Sequence, residues 1–117
     1  MSYEGSCHCG AVAFTVNEDA PDSAISCNCS HCRRKGLLLG FVDADRFRID
    51  RGEEMLETYL FNTHKIRHRF CRACGTEPFA NSEKPGGGRA VAAVNLRCVP
   101  AIDLHRLQLH NVDGASL

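Results

Sequence analysis

Cysteine dominates the chemistry that this chain of 117 residues could perform. Seven of the eight cysteines fall into three short groups: Cys7-His8-Cys9-Gly10, Cys27-Asn28-Cys29-Ser30-His31-Cys32 and Cys71-Arg72-Ala73-Cys74-Gly75. Thiolates are typical zinc ligands, and Cys-x-x-Cys followed by glycine is a common turn that presents two sulfurs to a metal. The eighth cysteine, Cys98, stands alone, and we expect it to be a small buried apolar residue.

The seven clustered sulfurs divide naturally into a group of three and a group of four. Cys27, Cys29 and Cys32 are so close in sequence that we expect them to share one metal site. The remaining cysteines make a complete four-sulfur site: Cys7, Cys9, Cys71 and Cys74. A Cys-x-Cys pair on extended chain would place both sulfurs on one face. Four sulfurs close the zinc shell, as in structural sites, whereas three leave the open position of catalytic sites.

Three other interpretations of the cysteines stay open. Disulfides would suit an exported chain. The second site could instead be closed and purely structural, with Cys98, His31 or His8 as its fourth ligand. An iron–sulfur cluster is disfavoured, because the spacing lacks the usual ferredoxin runs.

The composition predicts one small domain, residues 1–117, with a lightly built core. Hydrophobic residues make up 44% of the chain, but aromatic residues are only 7% and Trp is absent. Apolar burial alone would leave such a domain marginally stable. A four-sulfur site would join Cys9 to Cys71, which is 62 residues further on. Zinc sites of this kind can supply on the order of 10 kcal/mol to folding.

Charge and hydropathy argue against a nucleic-acid or membrane partner. The 14 basic and 14 acidic residues give a formal net charge of zero, whereas nucleic-acid binders usually carry a basic excess. The longest apolar run, residues 37–42, is too short to cross a bilayer. Residues 1–5 show no signal peptide. We therefore expect a cytoplasmic protein, in which cysteine density favours metal over disulfides.

Alternating apolar residues predict a mainly β domain that positions the cysteines. Strands are expected at residues 11–16, 37–42, 46–50, 55–61 and 90–96. Helix is limited to short turns, one at residues 30–35 with Ser30 as cap and Gly36 as stop, and another at 101–107. The glycine-rich residues 85–88 are predicted to form a loop.

Together these groups resemble the glutathione-dependent formaldehyde-activating enzyme family, also called the GFA or centromere protein V family. The matching segments occur in the family's order over nearly the whole chain: Gly5-Ser6-Cys7-His8-Cys9-Gly10-Ala11-Val12, Cys27-Asn28-Cys29-Ser30-His31-Cys32-Arg33, Phe61-Asn62-Thr63, Phe70-Cys71-Arg72-Ala73-Cys74-Gly75, Val94-Asn95-Leu96-Arg97-Cys98 and Asp113-Gly114. The three-part cysteine pattern is the most specific of these features.

The resemblance implies a small zinc-stapled β-tent fold of several twisted antiparallel sheets with little helix. It implies two zinc ions per chain, a structural one on the four sulfurs and a second one on Cys27, Cys29 and Cys32. It also implies condensation of glutathione with formaldehyde to S-hydroxymethylglutathione, a carbon–sulfur lyase activity whose partners are a small thiol and a small aldehyde. The alternative is a non-catalytic zinc module that binds protein or nucleic acid.

The residues suggest a mechanism for the enzyme interpretation. An incoming thiol could bind as thiolate at the open position of the second site and attack a small aldehyde. His31 or His64 could then move protons, because imidazole titrates near neutral pH. The basic residues 33–35 and 64–69 could recognise an anionic ligand, although we favour charge compensation or a solvated surface. The substrate-binding residues are not predicted.

Overall fold

The computed structural model describes residues 1–60, 66–83 and 90–116, and within these ranges β-strands dominate. The strands are β1 (Tyr3–Ser6), β2 (Ala13–Val16), β3 (Ser23–Cys27), β4 (Leu39–Asp43), β5 (Phe47–Arg51), β6 (Leu56–Tyr59), β7 (Arg67–Cys71), β8 (Phe79–Glu83), β9 (Ala90–Asn95) and β10 (Gln108–Val112). The α-helical residues of these ranges form α1 (Ser30–Lys35). Short 3₁₀ turns occupy Ala44–Arg46, Glu53–Met55, Leu96–Cys98, Leu104–Arg106 and Gly114–Ser116. The predicted mainly β class is confirmed.

The strands form two sheets. The smaller sheet has the order β1-β2-β5, and the larger has the order β10-β3-β4-β9-β8-β7-β6. Neighbouring strands are antiparallel except β3 and β10, which run parallel in register from Ser23 opposite Gln108 to Cys27 opposite Val112. This pair departs from the expected all-antiparallel pairing, because β10 returns to β3 after a long connection instead of a hairpin.

The main core lies between the two sheets. Phe14 on β2 and Phe47 on β5 stack at 5.3 Å between ring centroids, and both rings contact Phe79 on β8. Val12 and Val16 are fully buried beside Phe14. Buried side chains from both sheets belong to one hydrophobic cluster, and their packing holds the two sheets together.

A second, smaller cluster covers the other face of the larger sheet. Cys32 of α1 packs there with Leu37, Leu39, Ala80 and Ala93. Strand β9 is consequently buried on both faces, since Ala92 and Val94 belong to the main core while Ala93 faces α1. This packing fixes α1 against the sheet.

Most predicted elements are present with shifted bounds. Strands β2 and β9 lie within the predicted segments, whereas β4 and β5 each extend one residue beyond theirs, to Asp43 and Arg51. The 3₁₀ turn Leu104–Arg106 lies within residues 101–107. The predicted strand 55–61 begins only at Leu56, because Glu53–Met55 form a 3₁₀ turn. Phe61 and the predicted loop 85–88 lie outside the described residues. The described ranges include no helix with the length and apolar character needed to cross a bilayer.

Candidate metal centres

The structure brings Cys7, Cys9, Cys71 and Cys74 together, and we call them the four-cysteine group. Cys7 and Cys9 lie in the turn between β1 and β2, whereas Cys71 ends β7 and Cys74 lies in the turn that follows. The expectation that Cys7 and Cys9 share a face of extended chain is therefore wrong: a turn, and not a strand, converges their sulfurs.

A glycine with positive φ ends each of these turns. Gly10 has φ +82° and Gly75 has φ +79°, a conformation that costs a side-chain-bearing residue energy. The amide of Gly75 donates to the carbonyl of Cys71 at 2.7 Å, and the amide of Gly10 donates to that of Cys7 at 3.2 Å. The glycine after each cysteine pair therefore allows the chain to reverse direction next to the two sulfurs of that pair.

The sulfur geometry of the four-cysteine group suits zinc. All four Sγ atoms lie within 4.8 Å of one another, and Cys9 Sγ is 3.7 Å from both Cys7 Sγ and Cys71 Sγ. A tetrahedron with Zn–S bonds of about 2.3 Å has edges of about 3.8 Å. The amide of Val12 also donates to Cys7 Sγ at 3.3 Å.

When no cation is present, the close spacing of the thiols in the four-cysteine group opposes the ionisation of all four together. The amide of Ala11 acts to lower the pKa of Cys9, but burial and the sulfurs of neighbouring cysteines raise that pKa to about 11. At Cys74, burial acts to raise the pKa, but hydrogen bonds with Thr76, Cys9 and Cys71 outweigh it and lower the pKa to about 5. A divalent ion would let all four ionise together.

The structure also brings Cys27, Cys29 and Cys32 together, and we call them the three-cysteine group. Their Sγ atoms lie within 4.8 Å of one another, and among the described residues no further His, Cys, Asp or Glu joins them. Cys27 ends β3, Cys29 precedes α1 and Cys32 lies in its first turn. Burial and the neighbouring sulfurs raise the pKa of the Cys32 thiol.

The helix that carries this group starts on a cysteine. Cys29 is the N-cap of α1, and its Sγ accepts a hydrogen bond from the amide of Cys32 at 3.3 Å. The prediction that Ser30 caps the helix is therefore wrong by one residue, because sulfur takes the position of the usual capping oxygen. The helix ends at Gly36, as predicted.

Two members of the three-cysteine group line a cavity of about 490 Å³, which we call the first cavity. Cys27 and Cys32 form part of its wall, and Arg33 and Arg97 add positive charge. The guanidinium of Arg97 is held in place by donating to the carbonyl of Gly36 at 2.8 Å. The volume is in the range of ordinary small-molecule sites. Arg97 belongs to a segment that the resemblance included, but no pattern in the sequence indicated that it lines this cavity.

Residues 113–116, which we call the closing segment, pack over the three-cysteine group. The side chains of Asn28 and Asp113 are hydrogen-bonded at 2.9 Å, and the amide of Ala115 donates to Asn28 at 2.9 Å. The closing segment passes so near Cys27 that a Cβ at Gly114 would lie 2.4 Å from Cys27 Sγ. The resemblance included Asp113-Gly114 without indicating this contact.

His31 faces away from the first cavity. Its ring stacks on Tyr59 at 5.7 Å and lies 3.9 Å from the ring of His68, measured between centroids. Its Nε2 is 3.5 Å from Oε1 of Glu77. His31 lines a second cavity of about 650 Å³ with Tyr59 and Lys35. His68 and Glu77 are buried polar residues that sequence analysis missed, and His64 lies outside the described residues.

Cys98 belongs to neither group among the described residues. It is buried, as expected, and its Sγ lies 3.9 Å from the carbonyl oxygen of Glu77. None of the eight cysteines, all of which lie in the described ranges, forms a disulfide bond.

Comparisons with known proteins place these features in context. A family model described as glutathione-dependent formaldehyde-activating enzyme matches residues 2–105. The fold is similar to that in the crystal structure of a Rhodobacter sphaeroides protein, with a TM-score of 0.76 and 29% sequence identity. That similarity covers 92% of this chain and 99% of the other. Strand β10 and the closing segment lie beyond the residues that the family model matches.

Proposed function

Because the chain belongs to the glutathione-dependent formaldehyde-activating enzyme family, we propose that it is a zinc-dependent carbon–sulfur lyase. Its reaction joins a thiol such as glutathione to a small aldehyde such as formaldehyde, or cleaves the adduct. In this proposal the four-cysteine group holds a structural zinc ion and the three-cysteine group holds a second one beside the substrate.

The proposed reaction needs no oxidant or reductant. The glutathione sulfur forms a bond to the aldehyde carbon, the C=O bond becomes a C–O single bond, and the thiol proton ends on that oxygen. A zinc ion on three thiolates supplies an open position that favours the thiolate form of a fourth sulfur. The chain's own residues must bind and orient both reactants beside that position.

The position of the three-cysteine group at the wall of the first cavity supports this proposal most strongly. Three sulfurs converge there, and no fourth protein donor joins them in the part of the chain that the structure describes. Cys27 and Cys32 border space large enough for a small ligand. Three donors with room for an exogenous ligand are the arrangement expected of a catalytic zinc site, and four donors that of a structural one.

The charges around the first cavity suit glutathione, which carries two carboxylates and one ammonium group. Arg33 and Arg97 can pair with the carboxylates. Hydrogen bonds from Ser116 and Asn28 lower the pKa of Asp113, so that its carboxylate is ionised at neutral pH and can pair with the ammonium. His31 does not line this cavity, and we assign it no role in the reaction.

The proposal is tested by exchange NMR between free glutathione with formaldehyde and their adduct. The zinc-loaded protein should speed this exchange above the spontaneous rate. Cys29→Ser should reduce the acceleration by at least ~10-fold, because even residues that only support metal ligands have effects of that size. Cys98→Ala is the matched control and should retain the acceleration, since Cys98 lies outside both groups.

An unaccelerated exchange with fully zinc-loaded wild-type protein would contradict the proposal. Two zinc ions that neither respond to glutathione nor promote exchange would instead favour the non-catalytic module. Equal acceleration by Cys29→Ser and the wild type would place the reaction away from the three-cysteine group.

A further inference from the structure

Three titratable side chains converge at a place that the proposed reaction does not use. His31 comes from α1, His68 from β7 and Glu77 from the segment between β7 and β8. Their candidate ligand atoms all lie within 4.8 Å of one another. The Glu77 carboxylate bridges the two rings, with Oε2 2.9 Å from His68 Nδ1 and Oε1 3.5 Å from His31 Nε2.

The side chains of this cluster are unusually buried for ionisable groups. Glu77 is 3% exposed and His68 is 5% exposed. Among the described residues, no donor makes a hydrogen bond with good geometry to Glu77 Oε1. Lys35, whose side chain is 34% exposed, places its ammonium 3.8 Å from the same oxygen. A buried carboxylate is costly unless cations or donors compensate it, and an incompletely satisfied oxygen is a typical position for an ion.

The donors combine a hydrogen-bonded pair, His68 Nδ1 and Glu77 Oε2 at 2.9 Å, with a second pair at the spacing of metal ligands. Ligand bonds of about 2.0–2.2 Å in a tetrahedral zinc site place neighbouring donors about 3.3–3.6 Å apart. The 3.5 Å separation of His31 Nε2 and Glu77 Oε1 lies in this range. Two histidines and one carboxylate also form a recurrent ligand set for late first-row divalent ions, with further positions open.

We propose that His31, His68 and Glu77 form an additional site for a divalent cation of the zinc class, separate from both cysteine groups. Its donors are nitrogen and oxygen, whereas those of the cysteine groups are sulfur. Of its three donors, His31 lines the second cavity, whereas Cys27 and Cys32 line the first.

The fourth ligand of this site is expected to be water or a small anion. Arg34 and Lys35 line the second cavity and give its rim positive charge. Tyr59, which stacks on His31, supplies an aromatic wall and a hydroxyl group.

Zinc titration of the folded protein, with its cysteine groups already loaded, tests the inference directly. Added zinc should shift the imidazole NMR signals of His31 and His68 together, with a stoichiometry of one. The signals of His105, an exposed imidazole on a 3₁₀ turn, are the internal control and should not move. If the two cluster signals stay unchanged up to zinc concentrations that shift His105, the inference is wrong.

Variants provide an independent readout of the same site. Glu77→Gln and His68→Gln should each bind one zinc equivalent fewer than wild type, whereas His105→Gln should bind the same amount. The sulfur-to-cobalt charge-transfer absorption of the cobalt-loaded proteins should be unchanged in all three, because the sulfur donors are retained. Folded Glu77→Gln and His68→Gln proteins that keep the wild-type zinc content would overturn the assignment.

If Glu77→Gln and His68→Gln do not fold, Lys35→Gln provides a test at a more exposed residue. Removing a like charge beside the cation should tighten zinc binding at this site by at least ~5-fold. Unchanged or weaker binding in Lys35→Gln would instead identify the cluster as an ion-pair network without metal. None of these readouts depends on glutathione, so this inference and the proposed lyase activity can fail separately.

Discussion

At the scale of single residues, Cys29 combines two functions that can be separated by mutation. Its sulfur caps α1 by accepting the amide of Cys32, and it also belongs to the three-cysteine group. Serine is a good N-cap, so Cys29→Ser preserves the start of the helix while removing a soft metal ligand. A loss of activity in this variant would therefore report on metal binding more than on helix stability.

Gly114 shapes the three-cysteine group through the side chain that it lacks. A Cβ there would meet Cys27 Sγ at 2.4 Å and Cys29 Cβ at 3.3 Å. The closing segment is anchored to Asn28 by hydrogen bonds, so it cannot retreat without breaking them. Even a methyl group at position 114 should displace the Cys27 sulfur.

We expect Gly114→Ala to weaken metal retention by the three-cysteine group by ~10-fold or more, the scale seen when the surroundings of metal ligands are disturbed. Its cost in unfolding free energy should stay at about 1–3 kcal/mol, as for other overpacked sites. Chelator competition and denaturant melts measure the two effects. Ser116→Ala is the control, because it removes one hydrogen bond to Asp113 without a clash. Wild-type metal retention in Gly114→Ala would contradict the packing of the closing segment on Cys27.

At the scale of elements, the four-cysteine group brings together cysteines from the two sheets. Cys7 and Cys9 follow β1 of the smaller sheet, whereas Cys71 and Cys74 lie at the end of β7 in the larger one. The core between the sheets contains few aromatic rings, with Phe14, Phe47 and Phe79 at its centre. A metal at this position would therefore carry a large share of the domain's stability.

Cys71→Ser should lower the melting temperature of the zinc-loaded protein by at least ~10 °C, or leave it aggregated. A shift of that size corresponds to about 2–3 kcal/mol in a domain of this length. Differential scanning calorimetry checks the expectation. Cys29→Ser serves as the comparison and should retain most of the fold, since the three-cysteine group joins residues that are already neighbours in sequence. Wild-type melting of Cys71→Ser would show that the four-cysteine group is not a structural staple.

The elements that sequence could predict are those specified by local patterns. Strand β2 follows from the alternation of buried Val12, Phe14 and Val16, and the turn at Gly75 follows from the Cys-x-x-Cys-Gly spacing. The turn at Gly10 does not, because the Cys-x-Cys spacing before it predicted extended chain. Strands β1, β3, β7, β8 and β10 were not predicted, because short or polar segments become strands here only through their partners. The parallel pairing of β10 with β3 joins residues 85 positions apart, which a local pattern does not encode.

At the scale of the whole molecule, α1 contributes residues to two chemically different sites. Cys32 and Arg33 line the first cavity, whereas His31 and Lys35 line the second. In the sequence, His31 lies between Cys29 and Cys32, which predicted a position beside them. Adjacent side chains of a helix point about 100° apart, so His31 lies on a different face of α1 from Cys32. His68 and Glu77 come from distant segments, so their convergence with His31 could not be predicted from spacing.

The zero net charge of the molecule conceals local charge that suits anionic ligands. Arg33 and Arg97 line the first cavity, and Arg34 and Lys35 line the second. Among the described residues, Asp113 is the acidic residue that lines the first cavity, and Glu77 lies beside Lys35 of the second. A neutral total therefore disfavours nucleic acid while leaving room for small anionic substrates.

Cobalt substitution offers the most direct measurement of whether the three-cysteine group accepts a thiol. Glutathione added to the cobalt-loaded protein should increase the sulfur-to-cobalt charge-transfer absorption, because an eighth sulfur joins the seven of the two cysteine groups. The increase should disappear in Cys29→Ser and persist in Cys98→Ala. A wild-type spectrum that glutathione leaves unchanged, with cobalt bound at both cysteine groups, would contradict an open thiol-binding site.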